Sequence, residues 1–290
     1  NGAKAPNGNR DGETNLGDLI TDALVWGAKK NGEAVDAAVT NGGGIRATIK
    51  AGDITKKDIN TVLPFGNTLS IVKVTGAELL EALEASTYCT PDALGGFPQV
   101  SGIAFTVDTA KTYDAGSLYP DSTYHAPKSI NRVTIQSVGG KPFDAKAVYT
   151  IATNDFMAAG GDTYYAFAAA SVNYDLGLSM DEVLMDYIKT ELKGVVGEAY
   201  AKPQGRITVT KTEAPAEEPA KPVTPPAVKP AEPAGDGGET SYTVVSGDCL
   251  WNISYHFYGT GAKFTRIASA NGLKPPYLIN IGQVLVIPAA

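Results

Sequence analysis

Apolar positions at helical spacing predict amphipathic helices along the first two thirds of the chain. Apolar residues recur every three or four positions after Asn15, the expected N-cap, and this helix is predicted to end at Asn31-Gly32. A shorter helix is predicted over 55–62, just ahead of a proline. Thr75-Gly-Ala-Glu78 and Ser179-Met-Asp-Glu182 have the spacing of capping boxes, and each predicts the start of a helix.

Short apolar runs between these helices predict strands. The runs are bounded by glycine, proline and polar residues, which is typical of strands. They occupy residues 36–40, 69–74, 103–107, 132–137, 148–153 and 206–209. Helices and strands therefore share one unit over 1–210, for which we predict an α+β fold.

The composition changes twice after residue 210. Residues 211–240 are mostly Pro, Ala, Glu, Lys and Gly with almost no large apolar side chains, so we predict a disordered, extended linker. Residues 241–290 return to a globular pattern, in which a strand, two helices and a strand predict a small βααβ domain. This domain carries no paired carboxylates and no activated nucleophile, so it is interpreted as a binding module.

The overall composition excludes several classes of function. The chain has 290 residues, is 43% hydrophobic and carries a formal net charge of −7, which argues against broad binding to nucleic acid. It has no apolar run of about 18 residues, so no membrane-spanning segment is predicted. His125 and His256 are too scattered for a histidine-based metal cluster, and Cys89 and Cys249 do not indicate a disulfide framework. Because Asn1 is not a methionine and no signal-peptide pattern follows, a processed or truncated chain is expected.

The segment from Asn41 to Arg46, Asn-Gly-Gly-Gly-Ile-Arg, follows a predicted strand directly. Three glycines allow φ > 0 and a close approach of a ligand, and their N–H groups can form an anion-binding nest. A guanidinium suits phosphate, and the chain has five arginines against nineteen lysines. This pattern predicts a small anion site, with a glycine-rich turn and a surface arginine as the alternative.

Two loop aromatics extend this candidate site. Phe65 lies between Pro64 and Gly66, where it is either a hydrophobic plug, the favoured interpretation, or a stacking platform. A second glycine-containing segment, 154–162, follows a strand and carries Phe156 and Asp162. Two aromatic rings, a carboxylate for sugar hydroxyls and Arg46 for phosphate together predict a nucleotide site.

Five ordered motifs give residues 10–210 a resemblance to the 5′-nucleotidase family. The motifs span Glu13–Leu19, Asn41–Arg46, Leu63–Asn67, Gln99–Gly102 and Asn154–Asp162, and their order and spacing resemble the C-terminal, substrate-binding domain of that family, with its mixed sheet. The resemblance implies that Phe65 and Phe156 stack the base, Asn41 contacts the base, Asp162 binds the ribose, and Arg46 and Arg10 hold the phosphate. The implied substrate-binding set is Arg10, Asn41, Gly43, Arg46, Phe65, Asn67, Phe156 and Asp162.

In this family the hydrolysis of phosphate belongs to a separate N-terminal metallophosphatase domain with two divalent metal ions. Its Asp-x-His and Gly-Asn-His motifs do not occur in this sequence. The resemblance therefore implies binding and orientation of the nucleotide by this chain, no cofactor of its own, and no hydrolysis by the chain alone.

Residues 242–288 resemble a LysM domain, a βααβ module that binds glycans containing N-acetylglucosamine. Tyr242-Thr-Val, Ser246-Gly-Asp248 and Leu250-Trp251 carry the resemblance, and Cys249 stands where the family commonly has Thr or Ser. The implied glycan is peptidoglycan or a chitin-like polymer, and the implied contact residues are Gly247, Asp248, Cys249, Leu250, Pro275, Leu278 and Ile279.

Together the two resemblances imply the C-terminal part of a secreted, cell-wall-associated bacterial 5′-nucleotidase. Such an enzyme converts a nucleotide and water into a nucleoside and phosphate. The alternatives are a non-catalytic nucleotide-binding protein attached to peptidoglycan, an accessory protein of a cell-wall hydrolase, and a UDP-sugar hydrolase or cyclic-nucleotide phosphodiesterase of the same family.

Overall fold

A computed structural model describes residues 8–120, 122–210, 240–244, 250–258, 263–273, 279 and 282–289. The described residues fall into two compact units, one within 1–216 and the other within 217–290. The predicted linker, 211–240, lies outside the described residues except for Thr240, which begins a strand.

The larger unit contains both helices and strands. Its helices are α1 (Asn15–Lys30), α2 (Lys56–Val62), α3 (Gly76–Ser86), α4 (Asp155–Ala158), α5 (Tyr165–Ala168) and α6 (Met180–Asp186). Its strands are β1 (Ala37–Asn41), β2 (Thr68–Thr75), β3 (Pro98–Ser101), β4 (Ile103–Asp108), β5 (Asp114–Leu118), β6 (His125–Ser129), β7 (Val133–Val138), β8 (Lys141–Pro142), β9 (Val148–Asn154), β10 (Val172–Ser179) and β11 (Ile207–Thr210). Short 3-10 turns cover Gly42–Gly44 and Glu198–Tyr200, and a π-helical turn, Tyr187–Glu191, extends α6.

Both main sheets of this unit are mixed. The five-stranded sheet has the order β10-β2-β9-β1-β3, in which β1 and β9 are parallel and the other neighbours are antiparallel. The four-stranded sheet has the order β11-β4-β7-β8, in which β11 and β4 are parallel. The predicted α+β fold with a mixed sheet is therefore confirmed.

The five-stranded sheet is covered on both faces, because apolar side chains of β2 alternate between two cores. Leu69 and Ile71 pack with α1 and α6, whereas Val72 and Val74 pack with α3 and the four-stranded sheet. A central sheet buried on both faces fixes the ends of its strands. The last residues of β1 and β9, Asn41 and Asn154, line a cavity.

The N-caps predicted from the sequence agree with the structure at some helices and differ from it at others. Thr55 and Thr75 form complete capping boxes, as predicted for Thr75. The N-cap of α1 is Thr14 rather than Asn15, because Asn15 is already helical and its Nδ2 donates to the carbonyl of Tyr200. The capping box predicted at Ser179 is wrong: within the described structure its hydroxyl donates to Asp181 rather than capping the helix.

The strand predictions are confirmed at β1, β2, β4, β7, β9 and β11, with ends shifted by a residue or two. Two strands of the central sheet, β3 and β10, were not predicted. The polar excursion over 109–131 contains a further unpredicted hairpin, formed by β5 and β6.

A partly buried network of charged side chains joins the last strand of this unit to α1. The Arg206 guanidinium donates to Asp22 at 2.8 Å and to the carbonyl of Val100 at 2.7 Å, and its Nε lies 3.6 Å from Asp18. Glu13 accepts the backbone N–H of Ile207 at 2.8 Å. The start of α1 and the last strand are therefore held together by charge-assisted hydrogen bonds.

Asp18 is expected to make the stability of this unit depend on pH. Its side chain is 1% exposed, and burial raises its pKa to about 7 against the opposing charge of Arg206, with a further contribution from Glu13. A carboxyl with a higher pKa in the folded state than in the unfolded state binds its proton more tightly in the fold. Its stabilisation is therefore complete below about pH 4 and is lost as the pH rises to about 7.

Asp18→Asn keeps an oxygen that can accept the N–H of Gln204 but cannot titrate. Over pH 4–7 we expect the wild type to lose stability relative to this variant by up to about 1.4 kcal/mol per pH unit. Urea unfolding of both proteins at several pH values measures the difference. A difference that does not change with pH would contradict the assignment.

The smaller unit has the element order predicted for it. Strands β12 (Thr240–Thr243) and β13 (Val284–Ile287) pair antiparallel, and the helices α7 (Leu250–Tyr258) and α8 (Phe264–Ala270) lie between them in sequence. Its core contains Val244, Leu250, Ile253, Ile267, Ala268, Leu285 and Ile287.

Candidate functional site

A cavity of about 360 Å³ lies where β1 and β9 end. These neighbouring strands are parallel, so the residues that follow them meet at one edge of the sheet. All eight residues of the predicted substrate-binding set line this cavity: Arg10, Asn41, Gly43, Arg46, Phe65, Asn67, Phe156 and Asp162. The rest of the lining is Thr40, Gly44, Leu63, Gly95, Asn154, Met180 and Asp181.

Two of the three N–H groups of the predicted anion-binding nest donate within the protein. Gly42 N donates to the carbonyl of Phe97 and Gly43 N donates to the carbonyl of Gly95, both at 2.7 Å. These two N–H groups are therefore already hydrogen-bonded within the protein. All three glycines also keep φ outside the positive range.

Gly42 and Gly43 allow a close approach between segments of the protein itself. A Cβ at Gly42 would lie 1.8 Å from the carbonyl oxygen of Asn9, and a Cβ at Gly43 would lie 2.9 Å from that of Gly95. This packing brings the segment before α1 against the cavity. Arg10 reaches the cavity from that segment.

Two arginines give the cavity a cationic side. Arg46 is exposed, and its Nη1 donates to the carbonyl of Gly43 at 3.2 Å while its Cζ lies 5.7 Å from the ring centroid of Phe65. Arg10 is half-buried, and its carbonyl accepts the N–H of Leu94 at 2.8 Å. Both guanidinium groups suit an anionic ligand.

Both predicted aromatic side chains are exposed at the cavity. Phe65 is 63% exposed and Phe156 is 43% exposed, so the interpretation of Phe65 as a hydrophobic plug is wrong. A Cβ on Gly161 would lie 2.5 Å from three ring carbons of Phe156, so this glycine allows the backbone to lie against the ring. Exposed rings beside a cavity are suited to stacking on a planar ligand.

A chain of amides leads to the carboxylate of Asp162. Asn154 Nδ2 donates to Asn41 Oδ1 at 3.1 Å, and Asn41 Nδ2 donates to Asp162 Oδ2 at 3.0 Å. Asn41 therefore lies beside the residue predicted to bind ribose, and its predicted contact with the base stays a prediction. Burial raises the pKa of Asp162, whereas the hydrogen bond from Asn41 and the charge of Arg10 act in the opposite direction.

Asn154 and Asp155 lie inside the 154–162 motif but were not predicted as site residues. Asp155 Oδ1 accepts hydrogen bonds from Asn67 Nδ2 at 2.8 Å and from Phe156 N at 2.9 Å. Their position at a strand end was a sequence signal, since polar residues at such ends often surround ligands.

Met180 and Asp181 also line the cavity but were not predicted as site residues. The only sequence signal at these positions was the capping box predicted at Ser179, which the structure does not contain.

Five of the predicted glycan-binding residues lie outside the described residues: Gly247, Asp248, Cys249, Pro275 and Leu278. Leu250 is 4% exposed, and Ile279 is partly buried against the same core. The glycan-binding role of all seven residues stays a prediction.

Neither a metal site nor a membrane span is found among the described residues. They contain no group of three or more His, Cys, Asp or Glu side chains placed to hold a metal ion. None of the helices in the described part of the chain is long and apolar enough to cross a membrane.

Two family models match the sequence. The model described as the 5′-nucleotidase C-terminal domain matches residues 3–169, and the model of the LysM domain matches residues 242–288. The first match covers more than half of the chain and contains every predicted nucleotide-contacting residue.

Curated relatives and solved structures agree with this. The chain is 37% identical, over 68% of its own length and 12% of the relative's, to the trifunctional nucleotide phosphoesterase protein YfkN of Bacillus subtilis. It is 35% identical, over 62% of its length and 22% of the relative's, to the cell wall protein Lmo0130 of Listeria monocytogenes. The crystal structure of a 5′-nucleotidase precursor from Thermus thermophilus matches 70% of this chain and 36% of that chain, with 36% identity and a TM-score of 0.56.

These relatives are much longer than the matched region, which makes up 12% and 22% of the two curated ones. The match to the 5′-nucleotidase C-terminal model, residues 3–169, lies within the larger unit. From the family model, the identity to these relatives and the common fold, we conclude that the chain belongs to the family defined by the 5′-nucleotidase C-terminal domain, and that a LysM domain follows this domain.

Proposed function

We propose that this chain binds the nucleotide for a cell-wall-associated 5′-nucleotidase, which converts a nucleotide and water into a nucleoside and phosphate. The larger unit holds the nucleotide, and the LysM domain holds a glycan of the wall. The observation that carries the proposal is one cavity with two exposed phenylalanines, two arginines and a carboxylate.

Each part of a nucleotide has a chemical counterpart in this cavity. The base stacks on Phe65 and Phe156, because a π-face binds any flat ring with little regard to sequence. The ribose hydroxyls donate to Asp162, which the hydrogen bond from Asn41 keeps in place. The phosphate pairs with Arg46 and Arg10, whose guanidinium groups suit its oxygens.

Hydrolysis in this family uses two divalent metal ions, which polarise the phosphate and activate water. The described residues of this chain do not fit that group, since they contain no set of ligands for a metal ion. We therefore assign no step of the hydrolysis to them. Their role in the reaction is to bind the nucleotide and to fix its orientation.

Attachment to a wall is supported by two observations. A LysM domain matches residues 242–288, and a relative of the larger unit is a cell wall protein. We propose that the protein is exported and acts at the wall, where its glycan partner is peptidoglycan or a chitin-like polymer. The relative named as a trifunctional nucleotide phosphoesterase favours a second candidate, a broader phosphoesterase acting on UDP-sugars or cyclic nucleotides.

Calorimetry with AMP and adenosine tests the nucleotide proposal directly. We expect saturable binding of AMP to the full chain and a loss of about five- to 150-fold in affinity in Phe156→Ala, because one base stack contributes about 1–3 kcal/mol. Tyr174→Ala is a matched control, since Tyr174 is a 38% exposed aromatic outside the cavity lining. The absence of saturable binding, or equal losses in both variants, would contradict the proposal.

A further inference from the structure

Asn154 and Asp155 are consecutive residues whose side chains contact opposite halves of the cavity. Resting on the proposed nucleotide binding, we propose that they are positioning residues with divided roles. Asn154 positions the sugar-binding half, and Asp155 positions the base-binding half.

Asn154 fixes the orientation of the Asn41 amide. It is 2% exposed, and its Nδ2 donates to Thr40 Oγ1 and to Asn41 Oδ1, both at 3.1 Å. Because Asn41 Oδ1 accepts this bond, its Nδ2 must face Asp162. In a flipped Asn41, the Oδ1 atom would face the Asp162 carboxylate and the Nδ2 atom would face Asn154 Nδ2, so neither hydrogen bond could form. Asn154 therefore keeps Asn41 in the orientation that donates to Asp162.

Asn154 also caps the turn that follows it. Its Oδ1 accepts the N–H of Met157 at 2.8 Å, which starts α4. Serine at 154 could supply a capping oxygen as well, but it is too short to donate to Asn41. The capping role and the orienting role can therefore be separated by one substitution.

Asp155 ties together the two segments that carry the aromatic rings. Its Oδ1 accepts from Asn67 Nδ2 at 2.8 Å and Thr68 N at 3.2 Å, which lie just after Phe65. The same oxygen accepts from Phe156 N at 2.9 Å. One charged acceptor thus sets the position of the Phe65 loop relative to the turn carrying Phe156.

The pairing of β2 with β9 ends at Leu69 and Asn154, and beyond it Asp155 continues the link towards the two exposed rings. Aromatic rings that are held in place before a base binds lose less conformational freedom on binding. Removing the Asp155 carboxylate weakens this link and lowers the affinity for the base, although Met180 N still donates to the carbonyl of Asn67 at 2.9 Å. The Asn41–Asp162 bond does not involve Asp155 and stays intact.

The test compares two ratios of dissociation constants measured by calorimetry on the full chain. The ratio for ribose 5-phosphate over AMP measures the contribution of the base. The ratio for 2′,3′-dideoxy-AMP over AMP measures the contribution of the sugar hydroxyls. Thermal unfolding of each variant shows whether it is folded at the assay temperature.

We expect Asp155→Ala to lower the base ratio about tenfold and to leave the sugar ratio within about twofold. Asp155→Asn keeps an accepting oxygen, so it should restore most of the base ratio. Asn154→Ser should lower the sugar ratio about tenfold and leave the base ratio within about twofold. A general structural defect would lower both ratios together.

The outcomes separate this inference from the proposal on which it rests. If the wild type does not bind AMP, the proposed function fails, and the division of roles fails with it. If the wild type binds AMP but either variant changes both ratios alike, or changes neither, only the division of roles is overturned.

Discussion

Replacing Gln99 with leucine is expected to lower the free energy of unfolding by about 2–5 kcal/mol, since each buried group left without a partner costs about 1–3 kcal/mol. The Gln99 side chain is fully buried. Its Nε2 donates to the carbonyls of Asn9 and Gly12 at 3.1 and 2.7 Å, and its Oε1 accepts from Thr14 N at 3.0 Å. Leucine has a similar size but makes none of these bonds.

The same substitution is expected to weaken the binding of AMP more than that of adenosine. The carbonyls that Gln99 holds flank Arg10, which lies in the cavity as a predicted phosphate ligand. If the segment is released, Arg10 loses its position, while the stacking residues keep theirs. We expect the AMP affinity to fall about tenfold more than the adenosine affinity, as befits one charge-assisted contact.

Urea unfolding and calorimetry measure the two effects of Gln99→Leu. Gln136→Leu is a matched control, because Gln136 lies in β7 with an exposed side-chain bond to Thr106. We expect this control to change stability by no more than about 0.5 kcal/mol. Comparable losses in the two variants would show that the buried amide does not hold the segment.

The second large effect is expected at Arg132, where methionine should lower the free energy of unfolding by about 3–5 kcal/mol. The guanidinium is buried and donates to the carbonyls of Thr87, Tyr88 and Thr90, just beyond the end of α3. The fully buried carboxylate of Glu84 accepts the backbone N–H groups of residues 131–133. Glu84 and Arg132 attract each other electrostatically, so removing Arg132 leaves this buried carboxylate without that attraction.

Lysine at position 132 distinguishes charge from geometry. Arg132→Lys keeps the positive charge but cannot donate to three carbonyls through a rigid fork, so we expect it to recover only part of the loss. Lys128→Met serves as a surface control in β6, the strand that precedes Arg132 in sequence. Denaturant unfolding measures the free energy of unfolding of each variant. If Arg132→Lys were as stable as the wild type, the geometry of the guanidinium would not be needed.

Local signals made much of the fold predictable. The Thr75 capping box, the apolar spacing of α1 and the glycine at its end depend on residues within one or two turns, and the structure has them. Strands with buried faces, such as β2 and β9, were visible because apolar residues are concentrated there.

The elements that were missed depend on partners far away in sequence. Strand β10 is an edge strand with an irregular register around Gly177 and no fully buried residue, so it lacks the clear alternation of a half-buried strand. Strand β3 begins at a proline and has four residues, which are held by pairing with β1. Neither pairing can be inferred from its own residues.

The site was predictable in its residue types but not in its internal bonding. The sequence marks Arg46, Phe65, Phe156 and Asp162 by residue type and position after strands. It does not show that Gly42 and Gly43 donate their N–H groups to the segment that precedes β3. The roles of Asn154 and Asp155 are hidden for the same reason, since their partners are 113 and 88 residues away.

The close packing of Gly42 and Gly43 has a consequence for changing ligand preference by protein engineering. Side chains cannot be added at either position without pushing neighbouring backbone aside, so randomising these positions would yield mostly misfolded proteins. Leu63 and Asp181 also line the cavity, but they already carry side chains, which are only partly buried and can be replaced without moving the backbone. A mutant library confined to such positions would explore new specificities while sparing the architecture that makes a cavity possible.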